Sequence, residues 1–81
     1  MRVTILLFAR LREITGESVM VRDVPPDSTA RTLWTALAQE FPEFDAYTDS
    51  VSTAINEEYA RMGSIVSDGD EVAFLPPVSG G

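Results

Sequence analysis

The chain opens on Val3-Thr4-Ile5-Leu6-Leu7-Phe8, where apolar residues occupy both alternating faces. A strand of that kind is covered on both sides, so the pattern predicts a central strand. Leu11 and Ile14 follow at helical spacing, and Gly16 is placed to close a short helical turn over residues 9–15. Residues 17–22 read as a second strand, ended by Pro25-Pro26-Asp27-Ser28. From Thr29, the positions Ala30, Leu33, Trp34, Leu37, Ala38 and Phe41 recur at i, i+3, i+4, i+7, i+8 and i+11. They form one stripe of a long helix that packs on a sheet, with Trp34 and Phe41 as core residues and Pro42 as the stop. Residues 44–50 look like a loop or weak turn. Val51-Ser52-Thr53-Ala54-Ile55-Asn56 predicts a strand, Glu58-Tyr59-Ala60 a short edge piece, and Asp68-Gly69-Asp70 a turn. Glu71-Val72-Ala73-Phe74-Leu75 alternates as a last strand, which Pro76 ends by denying the ladder an amide.

The order is strand, strand, long helix, strand, short strand, strand, with no repeat and no linker. The class is α+β, expected as one domain over residues 1–81 with 76–81 as a functional tail. If the first and last long strands lie side by side, one main helix covers one face of a mixed sheet. The architecture is then a β-grasp, the ubiquitin-like roll, with an extended C-terminal tail. Periodicity gives the element order and leaves that pairing open.

Composition narrows the function. A chain of 81 residues, 44% hydrophobic and 23% charged, supports one packed core and not two. With 13 acidic against 6 basic side chains, its net charge of -7 would repel a phosphate backbone, so nucleic acid is an unsuitable partner. The sequence has no Cys and no His, which removes thiol nucleophiles, thiolate and imidazole zinc sites, and the commonest general base. The longest apolar run, residues 5–9, is far short of the roughly 20 residues a membrane helix needs. Met1-Arg2 leads straight into a strand rather than a signal peptide. The expectation is a soluble, cytoplasmic protein with no membrane association.

Few side chains are left for chemistry. Asp68, Asp70 and Glu71 sit on a tight turn, whereas a calcium loop spreads its ligands over about a dozen residues, so the trio reads as a solvated turn. Glu57-Glu58 makes no convincing catalytic pair. No metal-ligating and no cofactor-binding residues are expected. What remains is FLPPVSGG, residues 74–81. A carboxylate on Gly81 is a poor electrophile until an enzyme activates it as an acyl-adenylate, after which access to that carbon must be narrow and unobstructed. Gly80 and Gly81, without Cβ atoms, pass through a tight channel. Pro76 and Pro77 hold the root of the tail extended and lower the entropy lost on threading. Six residues, 76–81, span at most about 20 Å, enough to reach into another protein's active site.

The block DGDEVAFLPPVSGG, with the opening FARLREITG and the middle INEEY, resembles the small subunit of molybdopterin synthase, the MoaD family, over nearly the whole chain. That resemblance implies a β-grasp sulfur carrier, non-catalytic alone. Its Gly81 is adenylated with ATP by an enzyme similar to ubiquitin-activating enzymes, then converted to a thiocarboxylate with sulfur from a separate donor. The tail, Pro76, Pro77, Val78, Ser79 and Gly80, threads into the large synthase subunit, which supplies the catalytic side chains. Sulfur passes there to cyclic pyranopterin monophosphate to form the dithiolene of molybdopterin. The resemblance also implies a heterotetramer of two small and two large subunits. Strand alternation sets Ala73 and Leu75 on the face opposite Phe74, and Phe8 opposite Leu7. By analogy with the family, Phe8, Tyr59 and Leu75 form an apolar patch for the large subunit. A carrier for thiamine thiazole synthesis and a ubiquitin-like protein modifier share the fold and the Gly-Gly ending.

Overall fold

The computed structural model describes residues 1–77. Val78, Ser79, Gly80 and Gly81 of the expected tail therefore lie outside the described residues. In chain order the elements are β1 (Arg2–Leu7), α1 (Ala9–Thr15), β2 (Val19–Asp23), α2 (Ala30–Glu40), a 3-10 helix (Pro42–Tyr47), β3 (Ser52–Ile55), β4 (Glu58–Ala60) and β5 (Glu71–Leu75). The strands form one sheet in the order β2-β1-β5-β3-β4. β1 and β5 run parallel, from Thr4 opposite Glu71 to Leu7 opposite Phe74, and every other neighbouring pair is antiparallel. This settles the pairing that periodicity left open, and the architecture is the β-grasp roll with a mixed sheet.

Alternation sorts the sheet into two faces. Val3, Ile5, Leu7, Met20, Val72 and Phe74 turn to one side and are buried with Leu33, Trp34 and Leu37 of α2 and Leu11 of α1. Thr29 caps α2 through a reciprocal box: its Oγ1 accepts the Thr32 amide at 3.2 Å, and Thr32 Oγ1 accepts the Thr29 amide at 2.9 Å. The next two free amides of the helix, Ala30 and Arg31, donate to the carbonyls of Ser64 and Met62 at 3.0 and 2.8 Å. The loop after β4 is thereby strapped across the helix start. Gly16 closes α1 at φ 76, as its place in the sequence implied.

Residues 44–50 depart from the sequence expectation. Pro42–Tyr47 is a 3-10 helix, and Phe44 within it is fully buried. Three residues per turn align positions three apart, so Phe41, Phe44 and Tyr47 share the side that packs on the core. A test for the 3.6-residue period does not detect so short a repeat.

The acidic turn before β5 fastens the sheet. Asp68 Oδ1 accepts the Arg2 amide at 2.7 Å, and Asp70 Oδ2 accepts the Ser67 amide at 2.7 Å. Gly69, at φ 86, donates its amide to the Arg2 carbonyl at 2.7 Å. Arg22 of β2 grips Glu40 of α2 with two bonds of 2.8 and 2.9 Å. That hydrogen bonding holds the Glu40 carboxyl below its ordinary range and the Arg22 guanidinium above its own. No helix among the described residues is long and apolar enough to cross a membrane.

Candidate functional site

The face of the sheet left free by α2 carries an apolar row across all five strands. Register sets Val19 of β2 opposite Leu6 of β1, Leu6 opposite Ala73 of β5, Ala73 opposite Ala54 of β3, and Ala54 opposite Tyr59 of β4. Side chains in strands have a period of two. Once Ile5, Met20, Val72 and Thr53 are buried on the helix side, their sequence neighbours must face the other way.

Phe8, just after β1, and Leu75, the last residue of β5, close one end of this row into a shallow groove of about 300 Å³. Its apolar lining is Phe8, Tyr59 and Leu75 together with Leu6, Ala54 and Ala73, and its polar lining is Glu57 and Glu71. Phe8 is 42% exposed and Tyr59 85%, while Leu75 is half-buried. The structure thus brings Phe8, Tyr59 and Leu75 around a single groove and keeps all three out of the central core. Pro76, half-buried, and Pro77, exposed, follow directly from Leu75, so the root of the tail leaves the sheet at the groove. Val78 to Gly81 are the candidate positions that fall outside the described residues.

The backbone around the groove is unusual. Phe8 is extended at φ -124 and ψ 155, and the chain then turns into α1 through Ala9 at φ 52, a left-handed conformation disfavoured for a residue with a Cβ. The β3–β4 hairpin turns through Asn56 and Glu57 at φ 51 and 71, the signs of a type I′ turn. Asn56 ties that turn to β5. Its amide donates to the Glu71 carbonyl at 2.8 Å, its Oδ1 accepts the Glu71 amide at 3.0 Å, and its Nδ2 donates to Asp70 Oδ1 at 2.9 Å. By sequence alone Glu57 is a member of a non-catalytic pair and Glu71 a solvated turn residue. The signal that could have found Glu57 is a two-residue connection between strands with glutamate where glycine is usual. Among the described residues no group of three or more acidic side chains is placed to hold a metal ion.

Comparison with known proteins supplies the family. The ThiS family model matches residues 5–81. The chain belongs to the ThiS family. A molybdopterin synthase sulfur carrier subunit from Arabidopsis thaliana is 39% identical over 79 residues, covering 98% of this chain and 82% of that protein. The subunit of the same name from Homo sapiens is 32% identical over 83 residues, covering 99% and 94%. Among solved structures, SAMP1 from Haloferax volcanii matches with a TM-score of 0.86 at 31% identity over 100% of both chains. The resemblance to molybdopterin synthase small subunits drawn from residues 8–16, 55–59 and 68–81 agrees with the two sulfur carrier subunits, and the β-grasp architecture agrees with SAMP1.

Proposed function

We propose that this ThiS-family chain is the sulfur carrier subunit of molybdopterin synthase. The observation that carries this is the shared name and near-complete coverage of its relatives at 39% and 32% identity. The placing of the tail root beside an exposed apolar groove supports it. The Gly81 carboxylate attacks ATP on an activating enzyme, pyrophosphate leaves, and an acyl-adenylate forms. Sulfur at the sulfide level, released by a donor, then attacks the acyl carbon, the bond to AMP breaks, AMP leaves, and a thiocarboxylate remains. Such a group is anionic near neutral pH and a good nucleophile, so a carrier with neither Cys nor His needs no base of its own. The large subunit docks on Phe8, Tyr59 and Leu75, and admits residues 76–81 to its active site. Sulfur passes there to cyclic pyranopterin monophosphate, within a cytoplasmic heterotetramer of two small and two large subunits.

Intact mass of the protein purified from its own cells tests the chemistry. A fraction should be heavier by the difference between one sulfur and one oxygen, and deletion of Gly81 should abolish cofactor assembly in a strain that depends on this chain. Normal assembly with Gly81 deleted would sink the proposal. A second role, protein modification through the same glycine, is favoured by the likeness to SAMP1, which is a small archaeal modifier protein. It predicts target proteins shifted on gels by one carrier mass and lost with the Gly81 deletion.

A further inference from the structure

The groove has an acidic side that apolar docking does not use. Glu57 and Glu71 line it together with Tyr59 and Phe8. Neither carboxylate enters an ion pair among the described residues. The backbone that carries the two acids is also held, because Asn56 ties the turn bearing Glu57 to β5 through two hydrogen bonds to the Glu71 backbone, at 2.8 and 3.0 Å, and one to Asp70 Oδ1 at 2.9 Å. Glu57 itself sits at φ 71, at the second central position of a type I′ turn, where glycine is favoured and a Cβ is not. Glycine there would relieve the turn, so the glutamate is not explained by folding. Outliers of this kind gather at ligand-contacting sites.

Two carboxylates beside an exposed aromatic ring, over an apolar floor, match a guanidinium in three ways. The ring face of Tyr59 attracts a delocalised cation, the carboxylates accept its forked N–H donors, and the floor packs its methylenes. Lysine, a strongly hydrated point charge, satisfies only part of this. A chain of net charge -7 also steers a basic surface toward itself. We propose that the groove receives an arginine side chain of the protein partner, with Glu57 as the specificity-determining acceptor and Glu71 as its companion. This rests on the docking of a large subunit proposed above, and adds the chemistry that the docking surface must present: one arginine set among apolar side chains.

Titration calorimetry of the full chain against the molybdopterin synthase large subunit of the same genome, at low and high salt, tests it. Glu57→Gln and Glu57→Gly should each weaken binding about fivefold or more and flatten its salt dependence. Glu57→Gly should do so without lowering the melting temperature. Leu75→Asp, which leaves both acids in place, supplies the contrast. If the two Glu57 variants bind within about twofold of the parent while Leu75→Asp binds poorly, the arginine site is refuted and the docking face stands. If the unaltered chain forms no complex, the docking face and the arginine site both fall.

Discussion

Phe44 is buried within a six-residue 3-10 helix that carries Glu43 and Asp45 on either side of it. Its ring stacks on Trp34 with centroids 5.0 Å apart and on Phe41 at 5.7 Å, and Trp34 in turn lies tilted against Phe74 of β5 at 5.2 Å. The indole N–H of Trp34 is satisfied by Thr48 Oγ1 at 3.0 Å, just beyond the same helix. The segment after Pro42 therefore plugs the end of the core, and Phe44→Ala would open a cavity beside the rings of Trp34 and Phe41. The expected loss is about 3–5 kcal/mol, as for other phenylalanines removed from packed interiors, read as a lower urea midpoint. A change below about 0.5 kcal/mol is typical of surface positions and would place Phe44 outside the core. At this scale the sequence displayed Trp34 clearly because five other residues repeat its period. Phe44 has only Phe41 and Tyr47 to repeat with, at a spacing of three.

Among the elements, α2 and β5 were legible because each fills its whole length with one period: the stripe of Ala30, Leu33, Trp34 and Leu37 is buried, and β5 alternates buried with half-buried positions throughout. What alternation does not encode is the neighbour of each strand. The parallel β1–β5 pairing is reached by a chain that leaves β1 through a left-handed Ala9 and returns after Gly69, and no local pattern specifies that route. The Arg22–Glu40 pair, linking β2 to the C-terminal end of α2 across 18 residues, was equally hidden. Its two side chains are 37% and 44% exposed, so solvent screens it and its effect on stability is small. The sign follows from the hydrogen bond by which Arg22 lowers the Glu40 carboxyl. A carboxyl lowered in the folded state stabilises above its unfolded value, about 4.3 for glutamate, and that stabilisation disappears as pH falls through the lower folded value. Glu40→Gln should therefore be less stable than the parent at neutral pH and level with it in acid, measured as urea midpoints at both. A difference that stays constant with pH would assign the loss to packing.

On the scale of the whole molecule, β5 serves two surfaces at once. Phe74 is fully buried against α2, and the next residue, Leu75, turns into the groove and leads to Pro76. Parity made the division between Phe74 and Leu75, and between Leu7 and Phe8, readable from the chain alone. Tyr59 was reached by family resemblance, and the groove acids needed the register of three strands and the turn at Asn56 and Glu57 to be seen together. The division has a consequence for substitution. An aspartate in place of Leu75 keeps its carboxylate in solvent at the sheet surface, so folding should survive with a melting temperature a few degrees lower, whereas association with the large subunit should weaken by about tenfold, some 1.4 kcal/mol. Phe74→Asp, one residue earlier, should instead unfold the chain, because it puts an unpaired charge into the core. Circular dichroism melts beside binding isotherms for both variants separate the two surfaces. A molten or aggregated Leu75→Asp protein would show that Leu75 belongs to the core, and that the tail root and the proposed docking face are not independent of folding.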